Sequence, residues 1–330
     1  MSVLVTGGAG YIGSQMVWDL VERGERVVVL DDLSTGFDWA VAPRAELVIG
    51  DIGDRVVLDR IMQTRDVETV MHFAGSVVVP DSVADPLGYY LNNTVKAREL
   101  IAAAVSNGVQ NFVFSSTSAV YGVPAKLPVS EDAPLNPMSP YGASKAMTER
   151  MLTDAAAAYG LHSVVLRYFN VAGADPKGRT GQSTRGATHI LKVAIEAVTG
   201  QRDHVAVFGT DYDTPDGTGI RDYIHVADLV RAHSMALDHL RAGGENLLLN
   251  VGYGRGYSVL DLLDAVQRVS GRVLDIRHRS RRPGDVPMMV AAAERIRNAL
   301  AWEPRFDDLE VIVAHALAWE NKLLEKRAAA

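Results

Sequence analysis

The sequence predicts an α/β fold in which helices cover both faces of a parallel, doubly wound sheet. Short apolar runs alternate with helical segments through the first half of the chain, at residues 3–6, 26–30, 47–49, 69–73, 111–114 and 163–167. These runs are apolar almost throughout, which is typical of parallel strands buried on both faces. The first run leads directly into a glycine-rich turn and then a helix at residues 14–23, the order from which doubly wound sheets are built.

Composition limits the classes of function. The chain has 330 residues, of which 48% are hydrophobic, enough for one large or two closely packed domains. A net charge of −7 is unfavourable for a nucleic-acid or anionic-membrane surface, so neither partner is expected. The absence of cysteine excludes disulfides, thiolate nucleophiles and cysteine-based metal sites. Because the chain shows no leader peptide and no apolar run near ~18 residues, we expect a soluble, cytoplasmic protein.

The first turn carries glycines at a regular spacing, Gly7, Gly10 and Gly13. Glycine lets the backbone turn tightly between strand and helix and approach a diphosphate, which would lie at the helix N-terminus. A simple tight turn is the alternative. The flanking strand and helix favour a site for a cofactor that carries a diphosphate.

The next strand indicates which cofactor. It ends in Asp31 and Asp32, and Asp31 lies 18 residues beyond Gly13. A carboxylate at this place accepts hydrogen bonds from the adenosine ribose and repels a 2′-phosphate, so we expect NAD rather than NADP. Asp51 follows the third strand and could reach the adenine, although an exposed loop aspartate explains it equally well.

Later strands end in residues suited to a ligand site. Small residues, Ala74 and Gly75, follow the fourth strand, and four hydroxyl side chains follow the fifth at residues 115–118. Ligands of open α/β sheets bind at the carboxyl ends of the strands. A helix predicted over residues 89–106 carries Asn92 near its start.

Tyr141 and Lys145 form the candidate catalytic pair. Pro140 suits the first turn of a helix and Ser139 can cap it, which places Tyr141 and Lys145 one turn apart on one face. The ammonium would lower the phenol pKa from about 10, so that the phenol could take a proton from an alcohol and return it. Taken alone, this spacing also arises by chance on many helices.

After residue 170 the regular alternation ends. We predict helices at 187–199, 226–241, 258–270, 292–300 and 309–326, and strands at 205–208 and 247–251. The helix at 226–241 and the strand at 247–251 are expected to return to the first sheet. The predicted NAD-binding domain therefore comprises residues 1–170 and about 222–252. A smaller, discontinuous α/β substrate domain comprises about 171–221 and 253–330, with the active site in the cleft between them. No grouping of His, Asp and Glu has convincing metal spacing.

Together, the glycine turn, Thr117 and Tyr141-x-x-x-Lys145 resemble the short-chain dehydrogenase/reductase superfamily, and Tyr11-Ile12 resembles its extended branch with a Rossmann sheet. Four further segments, at 115–122, 167–174, 216–226 and 281–285, resemble UDP-glucose 4-epimerases. Each segment alone is moderately specific. Their occurrence in this order along nearly the whole chain makes the resemblance strong.

The resemblance implies a set of binding residues. NAD would contact, besides the glycine turn, Tyr11, Ile12, Asp31, Asp32, Leu33, Ser34, Thr35, Gly36, Asp51, Ile52, Phe73, Ala74, Gly75, Ser76, Val77, Asn92, Lys145 and Phe169. The UDP-sugar would contact Thr117, Tyr141, Asn170, His189, Ala206, Val207, Phe208, Arg221, Arg282, Asp285 and Met289. Guanidinium groups of Arg221 and Arg282 suit a diphosphate, and Phe208 could line a uracil site.

Two positions depart from the family pattern. Val77 stands where many members carry a lysine near the cofactor phosphates, so that contact is lost. Met289 stands where some members carry a tyrosine beside the sugar, a bulky ring associated with exclusion of N-acetylated sugars. Because methionine is flexible, it leaves open whether UDP-N-acetylglucosamine is also a substrate.

The activity implied is reversible inversion at C4 of a UDP-hexose, UDP-glucose or UDP-galactose, through a transient 4-keto sugar. A UDP-pentose or UDP-uronate 4-epimerase remains an alternative, because it uses the same Tyr/Lys machinery. A 4,6-dehydratase would need an Asp-Glu pair after Thr117, where Ser118-Ala119 stands. An NAD-sensing module without catalysis need not keep Thr117, Tyr141 and Lys145 together. The resemblance also implies a homodimer formed by the helices after Tyr89 and Tyr141, although a face buried in the core explains their apolar residues too.

Overall fold

The computed structural model describes residues 1–282 and 284–328 and confirms the predicted α/β fold. Strands are labelled in chain order: β1 Ser2–Thr6, β2 Val27–Asp31, β3 Glu46–Ile49, β4 Val67–His72, β5 Asn111–Thr117, β6 His162–Tyr168, β7 Asn170–Ala172, β8 Val205–Phe208, β9 Ile220–Arg221, β10 Tyr223–His225, β11 Leu247–Val251, β12 Tyr257–Ser258, β13 Ile276–Arg279 and β14 Met288–Met289. Seven of them form one parallel sheet in the order β3-β2-β1-β4-β5-β6-β11.

The helices are α1 Tyr11–Glu22, α2 Arg55–Arg65, α3 Val79–Ala84, α4 Pro86–Tyr90, α5 Lys96–Ser106, α6 Pro140–Tyr159, α7 Ile190–Val198, α8 Val226–Arg241, α9 Val259–Ser270, α10 Glu294–Leu300 and α11 Leu309–Ala328. None of these helices combines the length and the hydropathy needed to cross a membrane, within the part of the chain that the structure describes.

Both faces of the sheet are buried, which explains why its strands read as unbroken apolar runs. In β1, Val3 and Val5 pack with Met16 of α1 on one face, whereas Leu4 packs with Leu58 of α2 on the other. Successive side chains of a strand point to opposite faces, so each run of apolar residues serves two cores.

The second half returns to the first sheet as predicted. β11 pairs with β6 in parallel, and α8 packs on α1 as well as on β5 and β6. The small sheets β10-β7, β12-β9-β14 and β13-β8 form separately from the seven-stranded sheet. The proposed division into two discontinuous domains stays a prediction.

One predicted helix is wrong in its continuity. Residues 89–106 do not form a single α-helix, because a π-helical turn at Leu91–Val95 separates α4 from α5. Side-chain contacts of Asn93, described below, hold this turn. Another helix, α7, begins at Ile190 rather than at residue 187. Pro283, within the motif at 281–285, lies outside the described residues.

Candidate active site

A cavity of about 740 Å³ opens at the carboxyl ends of β1, β4 and β5. The strand order reverses between β1 and β4, and such a switch point is where open α/β sheets bind ligands. The cavity is lined by most of the predicted site residues: Gly7, Gly10, Tyr11, Ile12, Gly13, Asp31, Asp32, Ser34, Thr35, Asp51, Ile52, Phe73, Ala74, Gly75, Ser76, Val77, Asn92, Thr117, Tyr141, Phe169, Asn170, His189, Arg221, Arg282, Asp285 and Met289.

Six predicted residues do not line the cavity: Leu33, Gly36, Lys145, Ala206, Val207 and Phe208. Gly36 packs on Ala9 so closely that a Cβ would lie 2.8 Å from the Ala9 carbonyl carbon. Val207 is buried in the core. Phe208 lies under the guanidinium of the lining residue Arg282, and Lys145 is one helical turn from the lining residue Tyr141.

The glycine turn fits a diphosphate. Gly7 has φ +71°, and a Cβ there would lie 2.5 Å from the Ala74 amide nitrogen. A Cβ on Gly13 would lie 2.1 Å from the Gly7 carbonyl oxygen, so larger residues would disrupt the turn. Gly10, the residue before α1, has no side chain that could accept hydrogen bonds from the first amides of the helix. These N-terminal amides are therefore open to an anion.

Asp31 lies at the end of β2 with its carboxylate held by the backbone. Its oxygens accept hydrogen bonds from the Ala9 and Leu33 amides, both at 2.9 Å. Burial raises the Asp31 pKa above its usual value, and these two bonds oppose the rise. The acid is thus fixed beside the glycine turn, where it suits ribose hydroxyls and opposes a further phosphate.

Asp51 has a partner that sequence reasoning missed. Its carboxylate accepts a hydrogen bond from Lys96 Nζ at 2.5 Å, and the Gly53 amide donates to it at 2.7 Å. Lys96 also lines the cavity. Asp51 is therefore held in place at the rim and is not a free loop aspartate.

Helix α6 carries the predicted catalytic pair, Tyr141 and Lys145, on its buried face. It begins at Pro140, and the Ser139 hydroxyl caps it by accepting from the Gly142 amide at 3.3 Å. Tyr141 is 6% exposed and lines the cavity near Thr117. Lys145 is 4% exposed and lies behind it, with Nζ 4.5 Å from the centre of the Phe114 ring.

The expected lowering of the phenol pKa is wrong for the protein by itself. Burial raises the pKa of Tyr141 far above 10, and Tyr168 adds to the rise. A hydrogen bond with Thr117 offsets only part of it. The phenolate loses the solvation of water in this pocket, so it needs positive charge close by in order to form.

Lys145 is a buried cation one helical turn from Tyr141. Burial lowers its pKa to about 8, while the carboxylate of Glu149 opposes that change. His72 stacks on the Phe114 ring with ring centres 5.5 Å apart, and its pKa is lowered to about 3 by burial and by Lys145. His72 is therefore neutral, and Lys145 stays predominantly protonated at pH 7.

Glu149 is a buried residue of the site that sequence reasoning missed. Tyr141, Lys145 and Glu149 follow one another at intervals of four residues on the buried face of α6. Arg167 forms a bidentate pair with the Glu149 carboxylate, and the Ser116 hydroxyl donates to it at 2.5 Å. The interval of four residues was the available signal, since it places a third polar group on the catalytic face.

The π-helical turn directs two consecutive asparagines at the site. Asn92 donates to the Ser76 hydroxyl at 2.9 Å. The Asn93 side chain accepts from the Ser76 amide at 2.8 Å and donates to the Ser144 hydroxyl at 3.1 Å. Because Ser144 lies between Tyr141 and Lys145 in α6, Asn93 connects the end of β4 to the catalytic helix.

The far end of the cavity carries the predicted nucleotide residues. Arg282 lies over the Phe208 ring, with the guanidinium carbon 3.7 Å from its centre. The Arg221 guanidinium donates a hydrogen bond to the carbonyl oxygen of its neighbour Ile220 at 2.9 Å. Burial lowers the pKa of His189 to about 4, so its ring is neutral. Two cations and a neutral imidazole suit a nucleoside diphosphate.

The two positions that depart from the family pattern both line the cavity. Val77 is 57% exposed at its rim. Met289 is buried and packs with Val120, Tyr121 and Phe169. Among residues 1–282 and 284–328, no group of His, Asp and Glu side chains could hold a metal ion.

Helix α11 supplies a wall that sequence reasoning did not foresee. Ala316, Trp319 and Glu320 line the cavity. Trp319 stacks on Trp39 with ring centres 6.1 Å apart, and Glu320 forms a buried ion pair with Lys192 of α7. These contacts join segments far apart in the chain, so no local sequence pattern predicts them.

Comparison with known proteins identifies the family. The model of the NAD dependent epimerase/dehydratase family matches residues 3–252. The chain belongs to this family. It is 57% identical over 321 residues to a UDP-glucose 4-epimerase of Azospirillum brasilense, a match that covers 97% of this chain and 92% of that protein.

Solved structures of this epimerase family agree with the fold. The UDP-glucose 4-epimerase of Brucella ovis in complex with NAD has a TM-score of 0.93 at 43% identity, covering 96% of this chain and 97% of that one. The UDP-Glc/GlcNAc 4-epimerase of Campylobacter jejuni has a TM-score of 0.85 at 41% identity, covering 97% and 99%.

These comparisons confirm the resemblance to UDP-glucose 4-epimerases and the choice of cofactor. NAD is the cofactor of this protein. The uncapped N-terminus of α1 and the fixed Asp31 carboxylate both fit this dinucleotide. The roles of individual residues, catalytic or binding, stay predictions.

Proposed function

We propose that the protein interconverts UDP-glucose and UDP-galactose by reversible inversion at C4. One observation carries the proposal. A single cavity joins the dinucleotide turn, the hydroxyls of Thr117 and Tyr141, and the guanidinium groups of Arg221 and Arg282. A sugar attached to UDP could therefore lie between the cofactor and a proton-transfer group.

Tyr141 is the proposed acid and base. Its phenolate takes the proton of the C4 hydroxyl as that carbon becomes a ketone, and the phenol returns the proton after the sugar has turned. Bound NAD supplies the hydride acceptor and donor that this inversion needs. Thr117, at the end of β5, positions the hydroxyl, and Lys145 stabilises the phenolate from behind.

Arg221 and Arg282 hold the UDP moiety while the 4-keto sugar exposes its other face. Both line the cavity and are the candidates for binding the diphosphate. Keeping the intermediate attached makes the return step unimolecular, which favours inversion over release of an oxidised sugar.

The assay is direct conversion of UDP-galactose to UDP-glucose by the NAD-loaded protein, followed by chromatography of the two sugars. We expect reversible conversion without net reduction of NAD. UDP-xylose, assayed in parallel, distinguishes a pentose epimerase; a 4-keto-6-deoxy product would indicate a dehydratase. Bound NAD that supports no turnover with any UDP-sugar would contradict the proposal and favour an NAD-sensing module.

We extend the proposal to UDP-N-acetylglucosamine as an additional substrate. Met289 is flexible and offers no rigid ring at the sugar end of the cavity. The Campylobacter jejuni relative bears both sugars in its name. The same assay with UDP-N-acetylglucosamine tests this extension. If that sugar is not converted, the substrates are restricted to UDP-hexoses without an acetamido group.

A homodimer is the proposed assembly. Val83, Leu87, Leu91 and Val95 recur every four residues through α3, α4 and the π-helical turn and are all about half exposed or more. Met147 of α6 is exposed too. A stripe of exposed apolar side chains along helices is typical of an interface between subunits.

Replacing Leu87 and Leu91 with aspartate is expected to give a monomer, because paired carboxylates would be buried in the interface without partners. Sedimentation equilibrium measures the mass. Val273→Asp is the matched control, since Val273 is 92% exposed and lies outside the stripe. An unchanged mass in the double variant would locate the interface elsewhere.

The cytoplasmic location also stays a prediction.

A further inference from the structure

We propose that Glu149 and Arg167 form a positioning element behind the active site, in which the Glu149 carboxylate lies one helical turn from Lys145 as its counter-charge and fixes the strand end that presents Thr117. This inference rests on the proposed function for the roles of Lys145 and Thr117. The charge of Lys145 can nevertheless be measured without any catalytic turnover.

The geometry of the pair is complete. Arg167 Nε and Nη2 donate to the two Glu149 oxygens at 3.0 Å and 2.6 Å. The two side chains are 5% exposed or less. Ser116 donates to the same carboxylate and stands directly opposite Arg167 in the β5–β6 register. One carboxylate of α6 therefore holds two neighbouring strands, β5 and β6, near the ends that face the site.

Ser116 precedes Thr117, so the restraint acts one residue from the proposed substrate contact. A rotation of α6 would move Tyr141, Lys145 and Glu149 together, since all three lie on its buried face. The pair thus fixes the separation between the phenol on the helix and the hydroxyl on the strand. Reactive groups displaced by about 1 Å can lose about a hundredfold in rate.

Arg167 is itself held from the opposite side. Its Nη1 donates to the Tyr121 hydroxyl at 3.0 Å and to the Glu131 carbonyl at 3.3 Å. The Tyr121 hydroxyl in turn donates to Asn250 at 2.6 Å. These bonds direct the guanidinium at Glu149 and keep it from turning toward Lys145.

Stability alone is a weak reason for this pair. Two charges taken out of water lose hydration, and apolar residues of similar volume often replace a buried ion pair without loss of stability. What an apolar pair cannot supply is a negative charge one helical turn from Lys145. That charge is the property which the active site would use.

The groups around Lys145 make Glu149 the decisive one. On α6 itself, Tyr141 and Glu149 lie one turn to either side of Lys145. Of the elements packed on α6, β6 carries Arg167 and Tyr168, and α4 carries Tyr89. From β4, His72 is neutral at pH 7, and β5 contributes the uncharged Phe114 and Thr117. Among these, Glu149 is the group that raises the pKa of Lys145, against burial that lowers it to about 8.

The sign of the effect follows. A lysine is charged below its pKa, so removing the Glu149 charge lowers that pKa and Lys145 loses its proton at a lower pH. The site would then have no cation behind Tyr141 at pH values where the wild-type protein still has one. Activity would fall on the alkaline side at a correspondingly lower pH.

The test measures the pKa of Lys145 by NMR in NAD-loaded protein labelled with ¹³C at the lysine Cε. The chain has seven lysines, and Lys145→Arg assigns the signal. Glu149→Gln is expected to lower the Lys145 pKa by about one unit, a tenfold change in its acid dissociation constant. Glu149→Asp, which keeps the charge, is expected to restore most of it. Ser116→Ala, which removes only a hydrogen bond, is expected to leave it unchanged.

The double variant Glu149→Met/Arg167→Met guards against misfolding of the single one. It removes both charges together, and because Glu149 is the charged group that raises the Lys145 pKa, that pKa should still be lower than in the wild type. A Lys145 pKa that stays within about 0.3 unit of the wild type in Glu149→Gln or in the double variant would overturn the proposal.

The pH–rate profile is the second readout, and a purely structural role would not move it. Its alkaline limb should shift with the NMR pKa in Glu149→Gln and return in Glu149→Asp. If the protein proves not to be an epimerase, the NMR titration still decides the charge of Lys145. The two proposals therefore fail separately.

Discussion

Tyr141→Phe is expected to lower kcat for UDP-galactose about 10²- to 10⁴-fold, the range that one positioned acid–base group contributes. The phenyl ring fills the same space, so the helix and the cavity keep their shape. Only the group that exchanges a proton with the sugar is removed. The binding of NAD and of UDP should therefore be unchanged, and steady-state kinetics with isothermal titration of UDP measures both.

Tyr159→Phe is the matched control for this substitution. Tyr159 ends the same helix, is strongly exposed and does not line the cavity, so its hydroxyl should be dispensable. Activity retained in Tyr141→Phe would show that a different group moves the proton. Equal loss in both variants would point instead to damage of the helix.

Arg282→Met is expected to raise KM for UDP-galactose about 10- to 100-fold, the effect of losing hydrogen bonds to a charged group. The guanidinium contacts the Phe208 ring and lines the nucleotide end of the cavity, so its loss removes both charge and packing. NAD affinity should not change. Titration of the protein with UDP and with NAD separates the two ends of the cavity.

Arg279→Met provides the comparison, since Arg279 belongs to the same basic run but is exposed on β13, where its guanidinium donates to the carbonyl of its neighbour His278. We expect its KM to match the wild type. An equal rise of KM in both variants would mean that the whole run attracts the anionic substrate at a distance. That rise would then vanish in high salt.

Local features of the chain were predictable from the sequence. Ser139 and Pro140 start α6, and the interval between Tyr141 and Lys145 determines that both lie on its buried face. The alternation of apolar runs with helices was sufficient to predict the parallel sheet, because each strand is buried on both sides. Ser258, the first residue of the helix predicted over residues 258–270, caps α9 in a complete capping box with Asp261.

Features that depend on distant partners were not predictable. The π-helical turn exists where Asn93 bonds to Ser76 and Ser144, which are 17 and 51 residues away in the chain. The direction in which the Tyr141 pKa shifts also could not be predicted without the fold. Proximity to a lysine suggested a lower pKa, whereas the depth of the pocket, invisible in the sequence, raises it.

The wall formed by α11 has a consequence for how the protein is made. The glycine turn leaves the ribosome early, but Trp319 and Glu320 follow about 300 residues later, or roughly 15–60 s at the usual rate of synthesis. During that interval the nascent chain can form its sheet while one side of the cavity is still missing. Closure of the cavity is therefore a late event in folding, and dinucleotide could enter the unfinished side before Trp319 stacks on Trp39.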